Sequence, residues 1–417
     1  MRHLVLALAM GLGLAAPAMA QAPPLTLREA VRTALESHPA TVAARLRVAA
    51  AESWAGGAGA QPNPELRLSA TLGEPGEDAN LLVQRLEIGG QTGLRRDAAR
   101  AGAEAARQAW QAVRRDVARR TAAAYYGVWQ TEAGLAIARQ RLELARQLER
   151  ASRARLEEGE ISENAHLRTQ LEVARADADV AAAGGQASAE RARLNLLLGR
   201  EPGAPVLLPV APDGEPHAPD GLGPAPENPG STASLPELEA LRSAARAARL
   251  EAELAGRARA PDLELSAYRT RLLGSSPGQG LQVSLVFPLG DHGSVAAREA
   301  QLRAEAGARE GDVAARALEV EMELAAAVRV LEASEARRDI LHAQLARARR
   351  LAEMARVGYE AGLLSLPEVL DAQTAFRQAL GDFVTAEAAL RQAQADLYLL
   401  SGGPLPDAPQ LLEGTTP

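Results

Sequence analysis

The chain has 417 residues, no cysteine and a formal net charge of -7. The absence of cysteine excludes disulfides, thiolate metal sites and a lipid attached through an N-terminal cysteine. Arginines are interspersed with glutamates rather than grouped into a basic face, which argues against nucleic-acid binding. Apolar residues make up 47% of the chain and aromatic residues only 3%, and this alanine- and leucine-rich composition favours long, closely packed helices.

Residues 1–20 predict a secretory signal peptide. Arg2 precedes an apolar stretch, residues 4–16, and the small residues Ala18 and Ala20 flank a cleavage site before Gln21. This stretch is shorter than the roughly 18 residues that a membrane-spanning helix needs, and no later stretch reaches that length. We therefore expect the mature chain to be exported.

The rest of the sequence contains one unit of about 200 residues twice. GEISENAHLRTQ at Gly159 matches GLLSLPEVLDAQ at Gly362 with an offset of 203 residues, and NPELRLSA at 63 matches APDLELSA at 260 with an offset of 197. Residues 201–234 between the units are too rich in Pro and Gly for regular structure. The predicted division is repeat 1 at 21–200, a linker at 201–234, repeat 2 at 235–403 and a C-terminal tail at 404–417.

Each repeat is predicted to open with a helix. Thr26 and Glu29 in repeat 1, and Ser234 and Glu237 in repeat 2, have the spacing of a capping box. Pro39 is expected to break or restart the first helix, because proline removes a backbone donor and crowds the preceding turn.

Two segments with alternating apolar and polar residues follow in each repeat and predict β-strands. They are ELRLSATL at 65 and LLVQRLEI at 81 in repeat 1, and LELSAYRTRLL at 263 and LQVSLVF at 281 in repeat 2. Their length is near the roughly 9 to 11 residues that cross a bilayer at a tilt. The residues that we expect to face lipid are Leu66, Leu68, Leu72, Leu82, Leu86, Leu263, Leu265, Leu281, Val283, Leu285 and Phe287.

A soluble sandwich with a buried apolar face is the alternative for these strands, but the chain offers no second sheet. In lipid, unpaired edge groups cost several kcal/mol each, so the sheet must close, and four strands cannot close alone. Two chains would give 8 strands around a filled lumen, whereas three would give 12 strands around water. Polar residues such as Arg67, Glu264 and Gln282 suit a wet lumen and favour a homotrimer.

Residues 92–158 and 294–361 contain no proline and predict two helices of roughly 100 Å each. Apolar and small residues recur in them at spacings of 3 and 4, which is typical of helices that pair as coiled coils. The expected fold class is therefore mainly α with a membrane β-barrel. It consists of two tandem repeats, each with two strands and long helices, and three chains form a 12-stranded barrel that continues into an α-helical tunnel.

Three stretches resemble the TolC family of outer-membrane efflux proteins: LTLREAVRTALESHP at 25, QPNPEL at 61 and VGYEAGLLSLPEVLDAQTAF at 357. The resemblance covers essentially the whole mature chain, and residues 84–101 further resemble the CzcC-like branch, which exports heavy-metal cations. It implies a homotrimer in the outer membrane of a Gram-negative bacterium, with its tunnel in the periplasm. It also implies two partners, a periplasmic adaptor (membrane fusion) protein and an inner-membrane pump, for which the RND type is a candidate.

In this family the tip of the tunnel forms the periplasmic entrance and contacts the adaptor. The glycines at 159 and 362 are predicted to end the long helices in a left-handed conformation. The candidate adaptor-contacting residues are Gly159, Ile161, Ser162, Gly362, Leu363, Leu364 and Ser365. For the apolar ones, packing within or between hairpins is the alternative.

Glu368 and Asp371 match an acidic pair that lines the narrowed entrance in the family. Spaced i, i+3, they share a helix face, and a threefold axis would gather up to six carboxylates that attract cations and raise some carboxyl pKa values. Alternatively, Ser365 and Glu368 form a capping box, and both roles can hold. Tyr359 matches a tyrosine that helps to close the entrance, but its family partners are replaced here by Ala165 and Leu364. We therefore expect a different closure.

The six histidines are scattered, and no metal-ligand spacing, phosphate loop or nucleophile elbow appears, so we expect neither an enzyme nor a cofactor. His166, near the tip, is expected to be a solvated helix residue. A soluble periplasmic coiled-coil scaffold or adaptor is the competing class, although the strand alternation favours the channel. A passive exit duct need not select its cargo, so metal ions, drugs and peptides all remain candidates.

Overall fold

Two strands, a long helix and a returning helix follow one another twice along the chain, after two opening helices in repeat 1 and one opening α-helix in repeat 2. The computed structural model describes residues 24–69, 78–209, 218–223, 235–271, 278–290, 292–361 and 363–406. In these residues the elements are α1 (Leu27–Ser37), α2 (Pro39–Gly57), β1 (Glu65–Ser69), β2 (Asp78–Glu87), α3 (Gln91–Glu157), α4 (Glu163–Leu197), α5 (Pro236–Gly256), β3 (Asp262–Arg271), β4 (Gly278–Val286), α6 (Ser294–Glu360) and α7 (Leu366–Leu400).

The first helix starts and stops where the local chemistry predicts. Glu29 N–H donates to the Thr26 hydroxyl at 3.3 Å, and Thr26 N–H donates to the Glu29 carboxylate at 3.0 Å, which completes the capping box. Proline is tolerated in a first helical turn, where its missing N–H would have no partner, and Pro39 accordingly starts α2. His38 caps α2, with its ring Nδ1 accepting a backbone N–H at 3.2 Å.

The prediction of a capping box at the start of repeat 2 is wrong. The N-cap of α5 is Leu235 rather than Ser234, which lies outside the described residues, and no side chain of the described residues caps the first turn. Glu237 instead accepts a hydrogen bond from Arg316 of α6 at 2.9 Å, and Arg316 also donates to Glu323 at 2.8 Å. The Glu237 carboxylate therefore binds α6 instead of capping the start of α5.

The four strands form one antiparallel sheet in the order β1-β2-β3-β4. Repeat 1 supplies β1 and β2, repeat 2 supplies β3 and β4, and the repeats join where β2 pairs with β3 along ten residue pairs. All the helices that lead into or out of the strands attach at one end of the sheet, where β1 and β3 begin and β2 and β4 end. Within the described residues, β1 and β4 each pair along one edge only.

The long helices α3 and α6 have 67 residues each, and α4 and α7 return along them with 35 residues each. At about 1.5 Å per residue, α3 and α6 are roughly 100 Å long. Their observed bounds lie within one residue of the predicted ones. None of the helices in the described ranges is both long enough and apolar enough to cross a bilayer.

The main buried core lies near the middle of α3. Tyr125, Tyr126 and Val128 pack there against α1, the last turns of α4 and α7, and Leu222 of the linker. Tyr125 O–H donates to the Leu25 carbonyl at 2.8 Å. This core therefore joins both repeats and the linker at one level, between the sheet and the helix hairpins.

Candidate functional site: the sheet faces and the hairpin tips

The strand register places the predicted lipid-facing residues on one face of the sheet. Leu66 of β1 pairs with Leu82, Leu82 with Ala267 and Ala267 with Leu281, so this row crosses all four strands. Paired residues of antiparallel strands share a face, as do alternate residues along a strand. The same face therefore carries Leu68, Leu86, Leu263, Leu265, Val283 and Leu285, and Phe287 follows in the same alternation. Leu281 is 87% exposed, and Leu72 lies outside the described residues.

The opposite face is joined to the helices and carries most of the polar residues of the sheet. They include Glu65, Arg67, Arg85, Asp262, Glu264, Ser266, Gln282 and Ser284, and Leu81, Val83 and Tyr268 lie among them. Arg85 Nε of β2 donates to Asp262 of β3 at 2.7 Å, and the amide of Gln91, the first residue of α3, donates to the second Asp262 oxygen at 3.2 Å. Asp262 therefore connects two strands with the start of a long helix.

The tip of repeat 1 turns through Gly159, whose φ of +75° lies in the left-handed region. Gly159 N–H donates to the Leu156 carbonyl at 3.0 Å, and Glu160 N–H donates to the Arg155 carbonyl at 2.9 Å. This pair of hydrogen bonds is the Schellman motif. Ser162 then caps α4, accepting the Ala165 N–H at 3.4 Å. Ile161 between them is half-buried, so its side chain packs against its own hairpin.

The tip of repeat 2 repeats the turn with a tighter contact. Leu363 N–H donates to the Gly358 carbonyl at 2.7 Å. Leu364 lies so close to Gly358 that an added Cβ there would be 2.8 Å from Leu364 Cδ1. Leu364 is half-buried, whereas Leu363 is 80% exposed. Gly362 and the side chain of Tyr359, in the last turn of α6, lie outside the described residues. Of the three apolar tip candidates, Leu363 is the one that is exposed.

The acidic pair divides into a capping residue and a solvent-facing residue. Ser365 donates from both its N–H and its hydroxyl to one Glu368 oxygen, each at 2.7 Å. These hydrogen bonds lower the pKa of Glu368, opposite in direction to the increase that crowded carboxylates around a threefold axis would produce. Asp371 is exposed one turn later in α7.

The sequence led us to expect a solvated His166, but the structure shows it buried. It is 8% exposed and faces α3, with ring Nδ1 3.3 Å from Ser152 Oγ and ring Nε2 3.8 Å from a Glu149 oxygen. Ser152 and Glu149 lie on another helix, so no local spacing predicts these two contacts, whereas Gln170, which also contacts the ring, lies four residues away on α4. The repeat alignment does carry a signal, because His166 aligns with the apolar Val369. Among the described residues, no group of three or more His, Cys, Asp or Glu side chains could hold a metal ion.

Residues 30–200 and 231–403 match the family profile of the outer membrane efflux proteins. The chain belongs to this family. No curated protein sequence gives a significant match. Among solved structures, CusC has 20% sequence identity and a TM-score of 0.76, over 92% of this chain and 93% of CusC. VceC of Vibrio cholerae has 18% identity and a TM-score of 0.74, over 90% and 96% of the two chains. The open-state MtrE channel of Neisseria gonorrhoeae has 19% identity and a TM-score of 0.76, over 92% and 90%.

This outer membrane efflux protein is thus a channel of the Gram-negative outer membrane with a helical tunnel in the periplasm, and it is not an enzyme. Membership of the family rules out the alternative of a soluble periplasmic scaffold. Channels of the family are homotrimers that work with periplasmic adaptors and inner-membrane pumps.

Proposed function

We propose that three copies of this chain close into one exit duct, in which β4 of each copy pairs with β1 of the next. Three sheets of four strands give a barrel of 12 strands, which is wide enough for a water-filled lumen. The apolar face of the sheet is turned to lipid and the polar face, with Arg67, Arg85 and Glu264, to the lumen. The observation that supports this best is the combination of an exposed apolar face with two sheet edges, on β1 and β4, that pair with no other described strand.

The long helices support the same assembly. All the large apolar residues of α3 are buried or half-buried, because α3 packs against α1, α2, α4, α5 and α7. In contrast, α6 packs against α5 and α7 and leaves an apolar stripe exposed: Leu318, Met322, Ile340, Leu351 and Met354. At 3.6 residues per turn these five residues lie within an arc of about 60°, and the exposed Val330 and Val357 lie about 60° beyond its two sides. We assign this stripe, called the α6 stripe below, to contact with a neighbouring copy.

A pair of adjacent residues on β4 tests the arrangement of the sheet. Val283 lies on the apolar face and Gln282 on the polar face, and both are exposed. Val283→Arg should reduce the amount of trimer in the outer membrane, because an arginine that faces lipid near the bilayer midplane costs about 2–4 kcal/mol per chain. Gln282→Arg should assemble normally and alter the ion selectivity of the conductance in planar bilayers. Equal assembly of both variants, or a wild-type protein that is monomeric and soluble without detergent, would overturn the proposal.

We assign the periplasmic entrance to the hairpin tips. Leu363 is the exposed apolar residue there, and we propose that it contacts the adaptor, together with the turn residues Gly159, Ser162 and Ser365. Leu363→Asp should weaken co-purification of the adaptor while the trimer is retained. Unchanged recovery of the adaptor would exclude this contact. Glu368 and Asp371, in the first turns of α7, would form the acidic lining of the entrance.

For the cargo we propose heavy-metal cations, supplied by an inner-membrane pump for which the RND type is the candidate. The support is the resemblance of residues 84–101 to the heavy-metal branch of the family. Deletion of the gene should lower resistance to zinc, cobalt or cadmium, and the wild-type gene should restore it. A strain that loses resistance only to drugs would contradict this cargo.

A further inference from the structure

The hairpin of α3 and α4 contains a buried polar layer that the hairpin of α6 and α7 lacks. The layer, called the His166 layer below, consists of the buried Ser152, His166 and Thr169 and the half-buried Glu149. With the offset of 203 residues, the equivalent positions in repeat 2 are Ala352, Ala355, Val369 and Ala372. The three alanines are buried and Val369 is half-buried. Since the second hairpin packs with apolar residues at all four positions, the polar residues of the first hairpin are not required by the fold.

The His166 layer is satisfied when the imidazole is neutral. Gln170, one turn further along α4, donates from its amide nitrogen to ring Nε2 at 3.0 Å. With Gln170 in this orientation, the ring proton lies on Nδ1 and is donated to Ser152 Oγ at 3.3 Å. The layer therefore holds His166 partly through its own helix and partly through a single hydroxyl of α3.

A second ring proton would change these partners. Nε2–H and the Gln170 –NH2 group are both donors, so this hydrogen bond is lost unless the exposed amide turns over to present its oxygen. The nearest acceptor of opposite charge is Glu149 of α3, whose oxygen lies 3.8 Å from Nε2 and also binds Arg153 at 2.6 Å. On α3, the helix packed on this side of α4, Glu149 is the charged group in contact with the ring, and Arg153 is linked to the ring through Glu149. On α4 itself, the charged residues within one turn are Glu163 and Arg168, and both are exposed.

We propose that His166 is a proton-sensing residue that tightens the α3–α4 hairpin when the periplasm is acidic. Histidine is the side chain that ordinarily changes charge between pH 5 and 8. Protonation places a positive charge 3.8 Å from Glu149 and so adds a charged attraction between the two helices. His166 lies in the first turn of α4, next to the Gly159 turn, so the tightening acts at the tip. The inference concerns the hairpin alone and stands independently of the cargo or the partner pump.

Hydrogen exchange of the purified full-length protein tests this device without any transport assay. Exchange of the amides of residues 158–170 is measured at about pH 8 and about pH 5.5, on either side of the ordinary histidine titration, and each rate is divided by its intrinsic chemical rate. In the wild type the corrected exchange should be slower in acid, on the order of tenfold, the effect of one hydrogen bond to a charged group. His166→Gln, which keeps a polar side chain but cannot be charged, should show no such change.

Two further variants separate sensing from a purely structural role. Glu149→Gln should reverse the response, because the buried imidazolium then has no acid partner and acid loosens the hairpin. The double variant Ser152→Ala with His166→Val copies residues of repeat 2, so it should fold and be insensitive to pH. His342→Gln removes an exposed histidine from α6 and should leave the response intact. A wild type without a pH response, a His166→Gln variant that retains it, or a Glu149→Gln variant that behaves like the wild type would each overturn the proposal.

Discussion

At the scale of single residues, Gly159 sets the geometry of the first hairpin tip. Its φ of +75° is a conformation in which an L side chain is strained by roughly 1–2 kcal/mol. Gly159→Ala should therefore destabilise the hairpin by about this amount, measured by hydrogen exchange of residues 155–165.

Gly185→Ala is the matched control. Gly185 lies inside α4, and an added Cβ would have no neighbour within 4 Å in the chain. This replacement should stabilise α4 by about 0.5–1 kcal/mol, because alanine loses less backbone entropy than glycine in a helix. Shifts of the same sign in both variants would show that the left-handed turn is not the cause.

The acidic pair gives a second prediction at this scale. If three copies bring Glu368 and Asp371 to a ring, Glu368→Gln combined with Asp371→Asn should raise the concentration of divalent and trivalent cations that blocks single channels, on the order of tenfold. Unchanged block would exclude the ring.

The two single variants distinguish a carboxylate ring at the entrance from the helix-capping role of Glu368. Glu368→Gln also disturbs the start of α7, since Ser365 donates twice to the Glu368 carboxylate, whereas Asp371→Asn leaves this cap intact. The capping hydrogen bonds lower the pKa of Glu368. Their stabilising effect is therefore complete above the ordinary glutamate range and is lost as the pH falls through the lowered value. Recordings near neutral pH keep the cap of the wild type formed.

Residue roles were predictable where the partners lie within one turn. Thr26 with Glu29, Ser365 with Glu368 and the left-handed Gly159 follow from short spacings, since backbone geometry brings such residues together in any helix start or turn. Glu237 and His166 were mispredicted because their partners, on α6 and α3, are distant in sequence. Only the packing of two helices creates those contacts.

At the scale of elements, the junction of sheet and long helix depends on Asp262. Asp262→Ala should destabilise the protein by about 2 kcal/mol, below the 3–5 kcal/mol for a fully buried pair because the Arg85 side chain is largely exposed. The measurement is the midpoint of thermal unfolding in detergent.

Glu65→Ala is the comparison, because Glu65 pairs with Arg67 in the same sheet but both side chains are exposed. An exposed pair contributes at most about 1 kcal/mol, so the midpoint should move little. Equal shifts for the two variants would contradict the connecting role of Asp262.

The strands and long helices were predictable because their periodicity is local. Alternation along β2 and β4 and the proline-free stretches of α3 and α6 each report one kind of element. The start of β2 was less accurate: the prediction began at Leu81, whereas the strand begins at Asp78. Backbone pairing with β3 continues past the apolar alternation, because ladder hydrogen bonds do not require apolar side chains.

At the scale of the whole molecule, the α6 stripe should hold neighbouring copies together. Ile340 is 69% exposed in the isolated chain, and Ile340→Asp should shift the population from trimer to monomer in native mass spectrometry, because burying an unpaired carboxylate is costly. Glu335→Ala, about 140° away around the helix, should leave the trimer intact. Trimers of normal stability in Ile340→Asp would place the interface elsewhere.

The two sides of each subunit differ, because α6 leaves its apolar stripe exposed whereas five other helices pack against α3. A contact between unlike surfaces runs head to tail, and such contacts close into rings. The hairpins around the mouth of a threefold ring would then alternate in kind. The three α3–α4 hairpins would contain His166 between their helices. The three α6–α7 hairpins would contain alanines and Val369 at the positions equivalent to the His166 layer, and the exposed Leu363 at their tips. After the duplication of the repeat, the repeat 1 hairpins would thus respond to acidity, whereas the repeat 2 hairpins would bind a partner protein.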